Sequence, residues 1–164
     1  MKLQFQSITR QHALLLTSWR YAPPYDVYNR NDPPSDAEIA YWLDPAVACH
    51  AVMDASQNSD VDALVAFCTF GPDGQVGGGD YRRDALDIGM GVRPDLTGQG
   101  LGAHFAQAAI DFARQTYHPP ALRVTIAAFN QRAIRVWEKL DFHEVQRFPS
   151  AHNGREFIVF LRQL

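Results

Sequence analysis

A strand, a turn and a glycine-rich helix start follow one another in the middle of the chain, and this succession constrains the fold more than any other stretch. Apolar side chains alternate with polar residues or glycine along residues 86–92, which is the period of a strand with two different faces. Pro94 ends that strand because it has no N–H for a sheet ladder. Gly98, Gly100 and Gly102 then occupy every second position, and apolar residues recur at helical spacing after them.

This arrangement is typical of a phosphate-binding loop. The first N–H groups of a helix have no partners within the helix, and the aligned peptide dipoles place partial positive charge there. Glycines let the backbone approach a ligand with no Cβ in between. We therefore interpret residues 98–103 as a site for a phosphate or pyrophosphate, with a plain glycine-rich turn before a helix as the alternative.

Two common phosphate loops do not fit the spacing. Gly98, Gly100 and Ala103 match the letters of the dinucleotide fingerprint, but Arg93 to Thr97 separate the strand from the first glycine. That fingerprint also needs an acidic residue about twenty positions later, and residues 118–122 contain none. A P-loop needs a Gly-Lys-Ser/Thr sequence, and no lysine follows these glycines. The spacing therefore argues against a nucleotide-dependent oxidoreductase.

The glycine loop instead resembles the acetyl-CoA-binding signature of the GNAT superfamily of N-acetyltransferases, Gln/Arg-x-x-Gly-x-Gly/Ala. Here it reads Thr97-Gly98-Gln99-Gly100-Leu101-Gly102. Thr97 replaces the usual Gln or Arg, and we expect modestly weaker binding because the family holds the pyrophosphate largely through backbone groups. The resemblance implies that acetyl-CoA contacts the end of the central strand, the glycine loop and one later residue, namely Met90, Gly91, Val92, Thr97, Gly98, Gln99, Gly100, Leu101, Gly102, Ala103 and Asn130.

A second resemblance lies in residues 130–142, which are similar to the family pattern Asn-x-x-Ala-x-x-x-Tyr-x-x-x-Gly-Phe. Asn130, Ala133 and Phe142 match, whereas Trp137 stands at the tyrosine and Asp141 at the glycine. In many relatives that tyrosine offers its phenol to the departing thiolate. An indole N–H donates a hydrogen bond but does not titrate, so Trp137 is expected to contact the sulfur without supplying a proton, or to be a core residue of its helix.

The resemblance also suggests how the chemistry is divided along the central strand. A backbone N–H between Met90 and Val92 is the expected donor to the oxyanion. The amine needs a base, because an alkylamine is mostly protonated at neutral pH. Asp87 is the candidate base, since acidic residues serve nearby in many relatives. The alternative is a solvated or structurally ion-paired Asp87, with a backbone carbonyl and ordered water taking the proton.

The segment of residues 19–34 combines four prolines with four aromatic side chains. Prolines at these positions exclude a continuous helix or a central strand. The aromatic rings either pack on the domain surface as a lid or line the acceptor site, which the segment after the first helix commonly shapes in GNAT proteins. On the second interpretation Tyr25 and Tyr28 bind the acceptor.

The order of elements predicts one α/β domain over residues 1–164. Strand, helix, helix, three strands, helix, strand, helix and two strands give a mixed sheet of about seven strands with helices on both faces, which is the GNAT order. Thr9 and Ser35 are expected helix caps. The central strand and the strand after the glycine-loop helix are expected to be parallel, joined by a right-handed crossover. Gly77 to Gly79 are interpreted as flexible linker.

Composition adds limits on partners and location. A net charge of -3 and the lack of a basic run argue against nucleic acid, and no stretch is long and apolar enough for a membrane span. The histidines and acidic residues lack metal-ligand spacing, so no metal is expected. Cys49 and Cys68 are interpreted as reduced core thiols of a cytoplasmic protein. Edge strands near the C-terminus make a homodimer conceivable.

Together these resemblances to the GNAT family imply an acetyl-CoA-dependent N-acetyltransferase. The acceptor would be a primary amine of a small molecule or a peptide, attacking the thioester directly. An acyl-CoA-binding regulatory or sensor domain that has lost catalysis is the alternative, because Thr97 and Trp137 depart from the family pattern.

Overall fold

The computed structural model describes residues 1–164 and contains one sheet of seven strands. The strands are β1 (Leu3–Ser7), β2 (His50–Asp54), β3 (Leu64–Phe70), β4 (Leu86–Val92), β5 (Ala121–Ala127), β6 (His143–Pro149) and β7 (Glu156–Gln163). The helices are α1 (Arg10–Ser18), α2 (Asp36–Leu43), α3 (Asp60–Ala63), α4 (Gly102–Tyr117) and α5 (Gln131–Glu138). No helix has the length and apolar character that crossing a membrane requires.

The sheet is mixed, and its order is β1-β2-β3-β4-β5-β7-β6. All neighbouring strands are antiparallel except β4 and β5, which are parallel and joined through α4. The predicted α/β fold class and the parallel pair are therefore confirmed. Only Leu86 with Leu122 and Asp87 with Arg123 pair across β4 and β5, so the two strands separate beyond those residues.

Helices cover both faces of the sheet. Side chains of a strand alternate between its two faces, so each strand contributes apolar residues to both layers of packing. On β2, Val52 belongs to the main core that α4 and α5 complete, whereas Ala51 and Met53 pack with Leu16 of α1. Trp42 of α2 packs on the α1 side as well. The helix starts agree with the predicted caps, since the Thr9 side chain accepts from the His12 N–H and the Ser35 side chain from the Glu38 N–H.

The glycine run after β3 is packed against the β6–β7 turn, so the expectation of a flexible linker is wrong. The Ala151 N–H donates to the Gly77 carbonyl at 2.8 Å. Gly78 has a φ of +108°, and a Cβ there would lie 2.9 Å from the Pro149 carbonyl oxygen. Glycine is required at Gly78, where backbone crowds a Cβ, and at Gly79, where a Cβ would lie 2.7 Å from the Tyr81 ring and 2.9 Å from the Phe148 ring.

Candidate active site

A deep cleft opens where β4 and β5 separate. Its volume is about 1410 Å³, which is large for a single small-molecule site. Residues 88–92 of β4 form one wall and residues 124–127 of β5 form the other, while α5 and the segment of residues 19–30 close the remaining sides. A cleft of this size has room for two ligands side by side.

Along β4, the backbone N–H and C=O groups of every second residue point into this cleft. The Asp87 carbonyl accepts from Gly71 and the Arg93 N–H donates to Val65, so odd-numbered residues of β4 direct their polar backbone groups to β3. The even-numbered residues Met90 and Val92 consequently direct theirs into the gap. The Tyr21 hydroxyl already donates to the Val92 carbonyl at 2.9 Å, and burial raises the pKa of Tyr21 to about 12.

The glycine loop leads into an uncapped helix start at the mouth of the cleft. Gly98 and Gly100 have φ values of +76° and +79°, a region that L side chains rarely adopt, which explains why glycine is needed at both positions. No side chain caps α4, and its first turn contains no acidic residue. Gly102 has a different role, because a Cβ there would lie 2.7 Å from Val136 Cγ2 and would push α4 away from α5.

Most of the residues predicted to contact acetyl-CoA line the cleft: Met90, Gly91, Val92, Thr97, Gly98, Gly100, Gly102, Ala103 and Asn130. Gln99 and Leu101 do not. The Gln99 amide donates to the Asp95 carbonyl at 2.6 Å, and Leu101 packs against the main core. The Thr97 hydroxyl donates to the Pro94 carbonyl at 2.7 Å, so this side chain holds the turn rather than reaching across the cleft.

Cationic side chains of α5 and of the residue after it stand beside the glycine loop. Arg132, Arg135 and Lys139 line the cleft, and the Arg132 Nη1 lies 3.9 Å from the position of a Cβ on Gly98. An uncapped helix start and nearby cations favour the same kind of ligand, which is an anion such as a phosphate.

Tyr25 and Tyr28 lie on the corner between β5 and α5. Both rings pack against Phe129 with centroids 5.9 Å apart, and Asn130 Nδ2 donates to the Tyr28 hydroxyl at 3.3 Å. The Arg132 guanidinium lies 4.7 Å from the centroid of the Tyr25 ring. The two tyrosines therefore line the cleft next to the glycine loop, and their binding of the acceptor stays a prediction.

Trp137 belongs to the core and to the cleft at once. Its ring packs edge-on against Phe142 at 4.9 Å, and only 4% of the residue is exposed. The same side chain lines the cleft. The position of Trp137 therefore allows both predicted roles, as a core residue of its helix and as a contact to the thioester sulfur.

Asp87 lies outside the cleft. The Arg123 guanidinium binds both of its carboxylate oxygens, at 2.6 and 2.7 Å, and the Gln75 amide donates at 2.8 Å. The pairing raises the pKa of Arg123. Gly74 covers Asp87, since a Cβ on Gly74 would lie 3.1 Å from the Asp87 Cβ. The geometry is that of the structural ion pair, the alternative to the catalytic base.

Three polar residues that the sequence did not single out line the cleft on the α1 and α2 side: Trp42, Thr69 and Asp73. Thr69 pairs with Gly89, and Asp73 Oδ2 lies 3.6 Å from the position of a Cβ on Gly89. The Tyr41 hydroxyl donates to Asp73 Oδ1. Trp42 was predictable only as an apolar helix position, and Asp73 only as part of a Pro-Asp-Gly turn.

The family assignment follows from the sequence match as well as from this geometry. The family model described as "Acetyltransferase (GNAT) family" matches residues 13–142. The chain belongs to the GNAT acetyltransferase family. Asp141, which stands where the family commonly has glycine, has a φ of +63°, so the left-handed turn is kept without the glycine. No curated protein sequence matches the chain.

Solved acetyltransferase structures share the fold. A chimera of the Vibrio cholerae spermidine N-acetyltransferase SpeG and hSSAT is 13% identical, with 99% of this chain and 96% of that chain covered and a TM-score of 0.74. A GNAT acetyltransferase from Bacillus anthracis is 13% identical over 99% and 95%, with a TM-score of 0.73. The aminoglycoside acetyltransferase AAC(6')-Ib in complex with coenzyme A is 14% identical over 99% and 95%, with a TM-score of 0.72.

The residues present fit coenzyme A in the cleft. The open space around Gly100, the uncapped start of α4 and the α5 cations suit the phosphates. The polar backbone edge of Met90 and Val92 suits an amide-containing arm that runs between the strands. The structure contains no group of three or more His, Cys, Asp or Glu side chains that could hold a metal ion.

Proposed function

We propose that the protein is an acetyl-CoA-dependent N-acetyltransferase that acts on a primary amine. The observation that carries this proposal is the cleft between β4 and β5, because its wall is an unpaired strand edge that leads directly to an uncapped, glycine-lined helix start. A strand edge and an anion site in this succession match a long ligand with phosphates at one end and amides along its arm.

Each part of the cleft has a separate task in the reaction. Acetyl-CoA, when bound, supplies the activated acetyl thioester. The N–H groups of residues 98–103 and the Arg132 guanidinium hold phosphate, while the backbone of Met90 and Val92 holds the arm and donates to the oxygen where negative charge develops. Fixing both reactants in one cleft turns a bimolecular step into a local one, which is worth several kcal/mol, roughly 7–11 in favourable cases.

Trp137 supports a second candidate, an acyl-CoA-binding domain without catalysis. The indole lines the cleft where many relatives have a titratable phenol. We favour the enzyme, because a thiolate is a good leaving group and needs no strong acid. Replacing Trp137 with Phe is then expected to lower kcat by less than tenfold.

The test starts with a calorimetric titration of the protein with acetyl-CoA, with NADH and ATP as controls. Micromolar binding of acetyl-CoA alone, about -8 kcal/mol, supports the donor site. Release of free thiol that depends on an added primary amine then supports the enzyme, whereas binding without amine-dependent release favours the sensor domain. Absence of acetyl-CoA binding contradicts both.

A further inference from the structure

Part of the cleft lies on the face of the sheet that α1 and α2 cover. Trp42, Phe67, Thr69, Asp73 and Gly89 define it, and we refer to it as the acceptor pocket. The Trp42 and Phe67 rings meet edge to face at 5.2 Å. Phe67 and Thr69 pair with Gly91 and Gly89 of the neighbouring strand, and the Phe67 ring and the Thr69 hydroxyl pack where a Cβ of these glycines would lie.

Two polar groups of this pocket are buried without a partner. Thr69 Oγ1 and Trp42 Nε1 make no hydrogen bond, although the two residues are 0% and 2% exposed. Buried polar groups in proteins are nearly always paired, so each unpaired one requires an explanation. A hydroxyl both donates and accepts, whereas an indole N–H only donates. A ligand that satisfies both must therefore bring an acceptor to Trp42, whereas Thr69 can be satisfied by a donor such as an ammonium or by an acceptor.

The Thr69 hydroxyl and the Asp73 carboxylate both lie beside Gly89 of the central strand. A Cβ at Gly89 would lie 2.4 Å from Thr69 Oγ1 and 3.6 Å from Asp73 Oδ2, so the Thr69 hydroxyl packs directly on Gly89 and Asp73 Oδ2 lies close to the same point of β4. The Met90 backbone, which faces the gap between β4 and β5, is adjacent in the chain. An amine held by Thr69 and Asp73 would thus stand next to the strand edge proposed to hold the thioester.

We propose that the acceptor pocket binds a compact monoamine that also carries an oxygen, and that Asp73 holds its ammonium and takes its proton. This inference rests on the proposed function and names its substrate class and proton acceptor. Asp73 and Thr69 accept N–H bonds from the ammonium, and Trp42 Nε1 donates to the oxygen of the same molecule.

The step balances with these groups alone. One ammonium proton passes to the Asp73 carboxylate, and the freed electron pair on nitrogen bonds to the acetyl carbon. The carbon–sulfur bond breaks, and the sulfur leaves with its electron pair. The surplus proton of the new amide nitrogen goes to that sulfur, and Asp73 then releases its own proton to solvent. The products are the N-acetyl amine, free coenzyme A and one proton.

Charge around the pocket argues for a monoamine over a polyamine. Arg20 and Arg30 line the cleft, and the Arg30 guanidinium lies 5.1 Å from the centroid of the Trp42 ring. Arg20 pairs with Asp32 at 3.2 Å, whereas no carboxylate pairs with Arg30. One carboxylate and one unpaired cation in the same cleft suit a ligand with one ammonium and a nearby oxygen, while the extra charges of a polyamine would be repelled.

The first experiment compares four acceptors in the thiol-release assay: 3-aminopropan-1-ol, propylamine, β-alanine and spermidine. The two oxygen-bearing amines are expected to exceed propylamine in kcat/KM by about tenfold, the usual effect of one hydrogen bond to a buried group. Spermidine as the best acceptor, or equal rates for propylamine and the oxygen-bearing amines, overturns the substrate class.

The second experiment replaces Asp73 with Asn and measures kcat/KM of the best amine between pH 7 and 9. The variant must use amine that is already neutral, so its kcat/KM should be about a hundredfold lower at pH 7 and rise about tenfold per pH unit. The unmodified protein should stay nearly constant over that range. Asp84→Asn, in the same connection but outside the cleft, is the matched control and should keep the original profile.

A third variant separates binding from stability. Thr69→Val keeps the shape and removes the unpaired hydroxyl, so the melting temperature should stay the same or rise while the acceptor KM rises about tenfold. An unchanged acceptor KM contradicts a ligand at Thr69. Loss of rate in Asp73→Asn with an unaltered pH slope assigns Asp73 a structural role and overturns this inference alone, whereas acetyl-CoA binding without turnover of any amine overturns it together with the enzyme.

Discussion

Asp87 and Asp73 lie on one face of the sheet in front of β4, and their different surroundings determine what each can do. The Asp87 carboxylate has both oxygens engaged by the Arg123 guanidinium and is covered by Gly74. Asp73 borders the cleft and accepts one hydrogen bond, from Tyr41. A carboxylate that takes up protons during turnover needs a free oxygen and access to the substrate, and only Asp73 has both.

Replacing Asp87 with Asn tests the structural role of the ion pair. The Arg123 cation would remain buried opposite a neutral amide, which typically costs about 3 kcal/mol of folding free energy. For a domain of this size that loss lowers the melting temperature by about 10 °C. The pH dependence of kcat/KM should keep its shape, because the proton acceptor is elsewhere. Thermal denaturation and the pH–rate profile check the two parts independently.

The matched control removes the charge on both sides. Asp87→Asn combined with Arg123→Met leaves no unpaired charge, so it should recover a large part of the lost stability. A pH–rate profile that loses a limb in Asp87→Asn, in protein that is still folded at the assay temperature, would instead return Asp87 to the role of base.

At the scale of elements, the glycine loop is the part of the site that the sequence predicts best. Its spacing is local, and a left-handed residue or a helix start is a property of a few neighbouring positions. The turn of Pro72–Gly74 shows the opposite case. Pro-Asp-Gly indicates a turn but not what the turn packs against. That depends on the close approach of Gly74 to Gly89, which comes from a distant part of the chain, so Asp73 could not be assigned from sequence.

Two glycines with similar positive φ values, one inside the glycine loop and one outside it, distinguish the cost of backbone strain from an effect on ligand binding. Gly100 and Gly154 have φ values of +79° and +70°, and a Cβ at either would meet nothing within 4 Å. Alanine at each should therefore cost a similar free energy of folding, about 1–2 kcal/mol. Only Gly100→Ala should weaken acetyl-CoA binding, by about tenfold, because the loop can relieve the strain by turning its N–H groups away from the phosphate.

Calorimetric titration and thermal denaturation of both variants check this prediction. Equal acetyl-CoA affinity in Gly100→Ala and Gly154→Ala would mean that the phosphate does not depend on the loop's conformation. Lower affinity in both would point to a general loss of structure.

At the scale of the whole molecule, the sheet consists of two parts that meet at a short junction. β1 to β4 are paired along their lengths, and so are β5 to β7, but β4 and β5 share only two register pairs. The sequence predicted the strands and the parallel neighbours, since periodicity and connection lengths are visible in it. The separation of β4 from β5 was not predictable from composition or period, because it reflects how the helices on both faces pack.

The cleft between the two parts predicts a pattern of amide exchange along β4. The N–H groups of Met90 and Val92 point into the gap, whereas those of Gly89 and Gly91 point to β3. In the free protein the first pair should therefore exchange faster than the second. Acetyl-CoA at about a hundredfold above its dissociation constant should slow the first pair by about a hundredfold, because exchange then requires the ligand to leave. Hydrogen exchange read by NMR on single amides measures this, with Gly89 and Gly91 as internal controls.

Slow exchange of Met90 and Val92 before acetyl-CoA is added would mean that the two parts close on each other in solution. Protection of the α4 amides alone would place the phosphates at the helix start but leave the arm outside the gap.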